Sequence, residues 1–478
     1  MIQEVATSSA GITAAHGRIV RIGNGAGFWG DSARGPAQLV HDGSIDYLTM
    51  DFLAEITMSI LQKMRARDPD KGYATDFVSQ LEAILPECVA KGITVIANAG
   101  GVNPEACGHA VRAVVDRLGL DTVVATVAGD DVLPQLDELV SAGHELRHLT
   151  TGEPLAAHLD RVRSANAYLG AFPIAEALRR GAGVVITGRV ADASLTVAPL
   201  IHEFGWGPAD LDKLSAATVA GHIIECGPQC TGGNLDRWRE VPSLETIGYP
   251  IVEVTEDGTF VVTKPVGTGG LVDVDSVTAQ LLYEIGDPQR YLTPDVVADF
   301  TSVVLTQAGP DRVRVTGVRG TAPTDSLKVS VSLQQGWKIT GVLTVGGPDA
   351  VDKAHATARI LFARLAEAGV TFPEQDCLVE VLGTNVLYPG MLPSPPGIPS
   401  EVLLRICVRG PDRAALDRLG AEIASLVTSG PPGLTGFSGG RPRASEVIGF
   451  WPTLLDRSVV SATVSVGDSV ASAAGVPA

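Results

Sequence analysis

Arg189, Asp192, His222, Glu225 and Cys226 are the side chains whose types and spacing point to chemistry. Arg189 and Asp192 follow the apolar run 184–187 directly after the break at Gly188. That run is too short for an amphipathic helix and reads as a strand buried on both faces. Ligands of open α/β sheets bind just beyond the carboxyl ends of such strands. There, Arg189 can hold a carboxylate or phosphate in a bidentate fork. Asp31, Asp192 and Glu225 are acid–base candidates, and His222 can titrate near neutral pH. Cys226 is an alternative nucleophile, which would make the reaction an acyl transfer or thioester hydrolysis. The structural alternatives are an ion pair that fixes a loop and a helix end pinned by its own side chains.

His222, Cys226 and Cys230 are spaced at four, but Gly227-Pro228 breaks the helix between them, so no metal is expected. Glycine-rich loops recur along the chain, and ligand-binding positions are expected in them. They are Gly25, Gly27 and Gly30; Asn98, Gly100 and Gly101; Thr187 and Gly188; Gly232, Gly233 and Asn234; and Gly269 and Gly270. Their N–H groups are expected to hold an oxygen on which charge develops. Gly25-x-Gly27-x-x-Gly30 also has the spacing of a dinucleotide loop, and Asp51 lies where a ribose-binding acid would sit. Phe28 and Trp29 are bulky where a phosphate must come close, so an NAD(P)-linked oxidoreductase is the second reading and no cofactor is expected.

The elements that position these residues alternate. Strands at 18–22, 45–50, 93–97, 122–127 and 184–187 are separated by helices. The pattern predicts an α/β, parallel-sheet (Rossmann-like) N-terminal domain with its loops on one rim. Helices are expected at 52–67 and 215–226, among others. Residues 237–345 turn β-branched and alternating, an α+β extension that adds strands to the first domain or forms a lobe over the site. The first domain spans 1–345. The order of elements beyond it predicts a ferredoxin-like α+β C-terminal domain over 346–478, with a loose arm at 1–17 and a frayed tail at 465–478.

Composition narrows the class. Hydrophobic residues make up 45% of the 478, enough for large cores, while a net charge of −18 argues against nucleic acid or an anionic membrane as partner. The six cysteines form no paired framework and read as reduced thiols. No signal peptide and no run long enough to span a membrane is legible, so a cytoplasmic protein is expected.

Six segments together carry a resemblance. They are Arg21 to Asp31, Ile45 to Glu55, Ala97 to Pro104, Thr187 to Ser194, Gly221 to Gly227 with Thr231 to Asn234, and Thr268 to Val272. In this order they resemble the acyclic terpene utilisation (AtuA-like) family of bacteria and fungi, from about residue 18 to 463. Cys230 departs from that pattern, where a small apolar residue is expected. Members sit beside enzymes that degrade citronellyl and geranyl units as CoA thioesters. The resemblance therefore implies an enzyme of acyl-CoA or branched carboxylic acid metabolism, with CoA entering only as part of the substrate. The leading expectation is hydration, dehydration or lyase chemistry in a homo-oligomer. A non-catalytic subunit of a carboxylase or dehydratase assembly is the non-enzyme alternative.

Overall fold

The computed structural model describes residues 17–391, 397, 399–436, 440–467 and 469–472. The expected arm at 1–17 lies, but for Gly17, outside them. The chain divides into two compact units: residues up to Ser332 together with those from Phe450 onward, and Leu333–Gly449.

The first unit is built on a row of short, nearly all-apolar strands. These are β1 (Ile19–Asn24), β2 (Tyr47–Met50), β3 (Thr94–Ala97), β4 (Val124–Ala128) and β6 (Val184–Thr187), parallel in the order β1-β2-β3-β6-β4. Another strand, β5 (Val162–Ala167), pairs instead with the strand that begins at Ser326. Apolar side chains on both faces require cover on both faces. Helices Thr75–Lys91 and Pro104–Leu118 supply one layer, packing Phe77, Leu81 and Val111 against Met50, Val95 and Ile186. The second begins where sequence chemistry places it: Asn103 caps it, Pro104 takes the first position, and Gly119 ends it in a left-handed conformation.

Helices Ser194–Phe204 and Leu211–Glu225 also pack on the sheet. Every residue from Leu214 to Ile224 is buried, so this helix is enclosed on all sides. Its fixed path decides where His222 and Glu225 emerge.

The sheet is not purely parallel, as expected from the sequence, but mixed and eleven-stranded. Strands β7 (Ile251–Thr255) and β8 (Phe260–Thr263) add antiparallel to β1, followed by Arg312–Thr316 and Val304–Gly309. Part of the 237–345 section therefore extends the first sheet. Alternating β-branched strands joined by a tight turn form a hairpin, and a hairpin pairs antiparallel. At the other edge Thr463–Val466 pairs antiparallel with β4 and with Ser469–Ser472, so residues expected to fray are strand as far as 472. Val464 is fully buried there, which anchors the hairpin. The tail beyond 472 lies outside the described residues.

In the second unit the order is strand (from Leu333, within Ser326–Gly346), helix Ala350–Glu367, strands Cys377–Leu382 and Glu401–Gly410, helix Arg413–Ser429, the two-residue strand Leu434–Thr435, then the start of strand Ser445–Asp456 as far as Gly449. Leu343, Leu361, Leu404, Ile406, Leu419 and Ile423 form its core. Among the described residues no helix is long and apolar enough to cross a membrane.

Candidate active site

Two cavities open at the carboxyl ends of the parallel strands, of about 380 and 470 Å³. They share five lining residues, Glu55, Arg189, Asp192, Glu225 and Glu284, and so lie on two sides of one polar wall. The smaller chamber is lined otherwise by Leu149, Tyr168, Tyr291, Leu292, Pro294, Leu327, Lys328 and Leu454, among others. The larger adds Gly27, Phe28, Asp31, Asp51, Cys226, Gly233 and Asn234.

Arg189 is the centre of the wall. Its side chain is 2% exposed. Nη1 donates to the carbonyl of Leu53 at 2.7 Å and Nη2 to the hydroxyl of Tyr168 at 3.0 Å, and the guanidinium lies 4.3 Å from that ring's centre. Nη2 is also 3.3 Å from Oδ1 of Asp192. Burial disfavours the charge, but Asp192, Tyr168, Asp51 and Glu55 outweigh it and raise the guanidinium above its ordinary value. The fork expected for a substrate carboxylate is thus already spent on the protein. Lys328 is the more accessible cation: its Nζ is 3.3 Å from Oε1 of Glu55 and 4.6 Å from the Tyr168 ring centre. Tyr168 donates to the same Glu55 oxygen at 3.0 Å. Burial would raise Glu55, but Lys328 and Arg189 hold it below its ordinary value.

The acids beside Arg189 hold their protons tightly. Burial pushes Asp51 up to about 6 against the pull of Arg189 and of its hydrogen bonds from Asn98 (2.6 Å) and the Leu53 amide (3.0 Å). Burial and the neighbouring Asp51 and Glu225 carry Asp192 well above the usual carboxylate range, although Arg189 opposes them. Its side chain keeps 31% of its surface, opening onto the cavities. One turn behind, buried Asp130 accepts from the Arg189 amide at 2.9 Å and from Asn166 at 2.8 Å, and burial pushes it to about 7. Gly188 is what lets it approach, since a Cβ there would sit 2.2 Å from an Asp130 oxygen.

The enclosed helix delivers His222 and Glu225. Nδ1 of His222 is 3.1 Å from Oε1 of Glu225, and Nε2 is 3.1 Å from the carbonyl of Gln280. Neither this pair nor Arg189–Asp192 is aligned as a hydrogen bond, although both attract as charges. Among the described residues, eleven buried side-chain polar atoms have no hydrogen-bond partner. Four of them stand in this wall: Nε of Arg189, Oδ1 of Asp192, Nδ1 of His222 and Oε2 of Glu225. Buried polar groups are rarely left so, and their concentration here marks a site rather than packing.

Other expected residues do different work. Asp31 lines the larger chamber, but its oxygens accept from Gly27, Ser32 and the Tyr249 hydroxyl, so it holds the loop. Burial pushes the Cys226 thiol up to about 12, the reverse of an activated nucleophile. Among the described residues no cluster of three or more His, Cys, Asp or Glu is arranged to hold a metal.

The glycine loops are the largest difference. The amides of Gly25, Gly27, Gly100, Gly101, Gly188, Gly232, Gly233, Gly269 and Gly270 all donate to protein acceptors. At Gly27 the close neighbour is the backbone of Cys226, 2.8 Å from where a Cβ would stand. Gly233 and Asn234 line the larger chamber and Gly30 has open space around it, whereas Asn98 and Thr187 are buried behind the wall. Sequence reasoning missed Glu55, Tyr168, Lys328, Tyr291 and Glu284. Two of them carried a signal: Glu55 closes the segment Ile45 to Glu55, and Lys328 opens a β-branched run. Glu284 reaches the wall from a residue with a φ of 59°, which is unusual for a side chain of its size.

The fold and wall define a two-unit α/β protein with a carboxylate-rich crevice at the strand ends of its larger sheet. The sequence model of the acyclic terpene utilisation family, AtuA, matches residues 20–466, and the chain belongs to that family. No curated protein and no solved structure was found to match it.

Proposed function

We propose that the protein acts on an acyclic, branched carboxylic acid carried as its CoA thioester, and that it adds or removes water by acid–base catalysis. The observation that carries this reading is the wall itself. Unpartnered acid, base and cation atoms stand between a chamber rich in leucine and tyrosine and a second, polar chamber. The leucines and tyrosines of the smaller chamber suit a branched hydrocarbon chain. The family to which the chain belongs supports an acyclic terpenoid skeleton for it.

In dehydration, Glu225 takes the proton from the α-carbon. The charge passes to the thioester oxygen, which faces Lys328. Asp192 then gives its proton to the β-hydroxyl, which leaves as water. Passage of the proton from Glu225 to the neighbouring Asp192 resets the pair, and hydration runs the same steps in reverse. Arg189 keeps the wall together while Asp192 ionises, and His222 holds Glu225 in place from 3.1 Å. The layout also supports naming the units. The five parallel strands with a site at their carboxyl rim read as Rossmann-like, and the strand–helix–strand–strand–helix–strand order of the second unit as ferredoxin-like.

Branched 2-enoyl and 3-hydroxyacyl CoA thioesters test the proposal through the ultraviolet band of the enoyl thioester. Wild-type protein is expected to interconvert one such pair. Asp192→Asn and Glu225→Gln are each expected to lower kcat by about 10²–10⁴ while the protein stays folded. Inactivity of folded wild-type protein on the whole panel, or full turnover by both variants, overturns the reading.

A further inference from the structure

The larger chamber says which part of a thioester it takes. Six carboxylates line it: Asp31, Asp51, Glu55, Asp192, Glu225 and Glu284. Among the described residues its one basic side chain is Arg189, whose terminal nitrogens face Leu53, Tyr168 and Asp192. A phosphate placed here would meet like charge at close range, with no other cation among the described lining residues to offset it. Asp51 is 5% exposed, and both of its hydrogen bonds fall on Oδ1, so no described residue donates to Oδ2. Asn234, whose backbone has a φ of 56°, lines the same chamber, and so does Phe28, which is 58% exposed. Carboxylate acceptors thus dominate, beside the amides of Gln229 and Asn234 and the rings of Phe28 and Tyr283, and the surroundings reject anions.

We infer that this chamber is a subsite for the uncharged pantetheine arm of the thioester, placed by the juxtaposition of Asp51, Asn234 and Phe28 with the wall of Arg189 and Asp192, and that the nucleotide phosphates of CoA stay outside it. The arm carries two amide N–H groups and a hydroxyl to donate, two carbonyls to accept from Asn234, and a dimethyl group to lie on Phe28. It has no charge to repel. A volume of about 470 Å³ is ample for it. With the thioester at the shared wall, the acyl chain enters the smaller chamber, against its leucines, and the arm the larger one. This inference rests on the thioester reading above and names what that reading leaves open: the recognised handle is the arm, not the nucleotide.

The test compares one acyl group on CoA, on pantetheine and on N-acetylcysteamine, and measures binding of free pantetheine by thermal shift. The CoA and pantetheine thioesters are expected to agree in kcat/KM within about threefold, because the phosphates add little. Truncation to N-acetylcysteamine is expected to cost about tenfold or more, and Asn234→Ala to raise KM for the pantetheine thioester by about tenfold with kcat retained, the effect of one hydrogen bond. A preference for CoA over pantetheine of about a hundredfold overturns the inference, as does equal use of the truncated thioester. If no thioester is turned over but free pantetheine raises the melting temperature, the reaction is wrong and the subsite stands; if neither occurs, both fall.

Discussion

Both ring nitrogens of His222 face acceptors: Nδ1 lies 3.1 Å from a carboxylate oxygen of Glu225, and Nε2 lies 3.1 Å from the carbonyl of Gln280. The Gln280 carbonyl takes one N–H, and the carboxylate near the other nitrogen favours the charged ring, the imidazolium. Burial lowers the affinity of the ring for its proton, but Glu225 and Gln280 more than offset it and raise the group above 6.5. A raised value stabilises the fold fully below the unfolded value, and that stability is lost as pH climbs through the folded one. Glu225→Gln removes the main cause. Melting temperatures from about pH 5 to about pH 9 are expected to fall less steeply for the variant than for wild type in the range above about 6.5. Identical slopes would contradict an imidazolium–carboxylate pair.

Asp51 predicts the opposite kind of substitution. Its folded value of about 6 exceeds the ordinary 3.8, so the folded state binds the proton more tightly than the unfolded one. Stability from this group is therefore present at low pH, falls as pH rises through that window, and stays lower above it. Asp51→Asn keeps the acceptor used by Asn98 and Leu53 and removes the buried charge. It is expected to raise unfolding stability by about 1–3 kcal/mol above about pH 7, with the gain vanishing toward about pH 4. Denaturant titrations at the two pH values check it, and a variant less stable than wild type at the higher pH contradicts it.

Arg189 is the cation among the five side chains that the two chambers share, the other four being carboxylates. Replacing it by Met strands Asp192 and removes the hydrogen bonds to Leu53 and Tyr168. The loss is expected to be about 3–5 kcal/mol, as for breaking one side of a buried pair. Adding Asp192→Asn to that variant is expected to recover part of it, because the two residues are coupled. Additive losses in the double variant would show that the pair does not act as one unit.

Cys226 separates acid–base chemistry from covalent catalysis. With its thiol pushed up to about 12, it carries almost no thiolate near neutral pH. Iodoacetamide is expected to label it slowly in native protein, and Cys226→Ala to keep turnover within about twofold. Rapid labelling that removes activity in step would favour thioester hydrolysis instead.

How much of this was legible in the sequence depends on the range of the interaction. The five parallel strands were, because each is a short apolar run closed by a polar or glycine break. Arg189 and Asp192 were, because they directly follow such a run, and His222 and Glu225 because a helix ends beside them. Tyr168 and Lys328 were not, since the pairing of β5 with the strand from Ser326 brings together residues far apart in the chain. The glycines show why spacing alone misleads. A glycine marks a place where something comes too close for a Cβ, but not what comes close. At Gly27 it is the Cys226 backbone and at Gly188 the Asp130 carboxylate, rather than a ligand. Asp51 was legible as a strand-end acid, and it lines the larger chamber while accepting from Asn98 and the Leu53 amide.

The most direct measurement is hydrogen exchange at the α-carbon of a 3-hydroxyacyl thioester in deuterated water, followed by mass spectrometry. If Glu225 takes that proton and Asp192 protonates the departing hydroxyl, wild-type protein both incorporates deuterium and forms the enoyl product. Asp192→Asn is then expected to retain incorporation while product formation falls by about 10²–10⁴, and Glu225→Gln to lose both. Wild-type incorporation by folded Glu225→Gln would contradict the account.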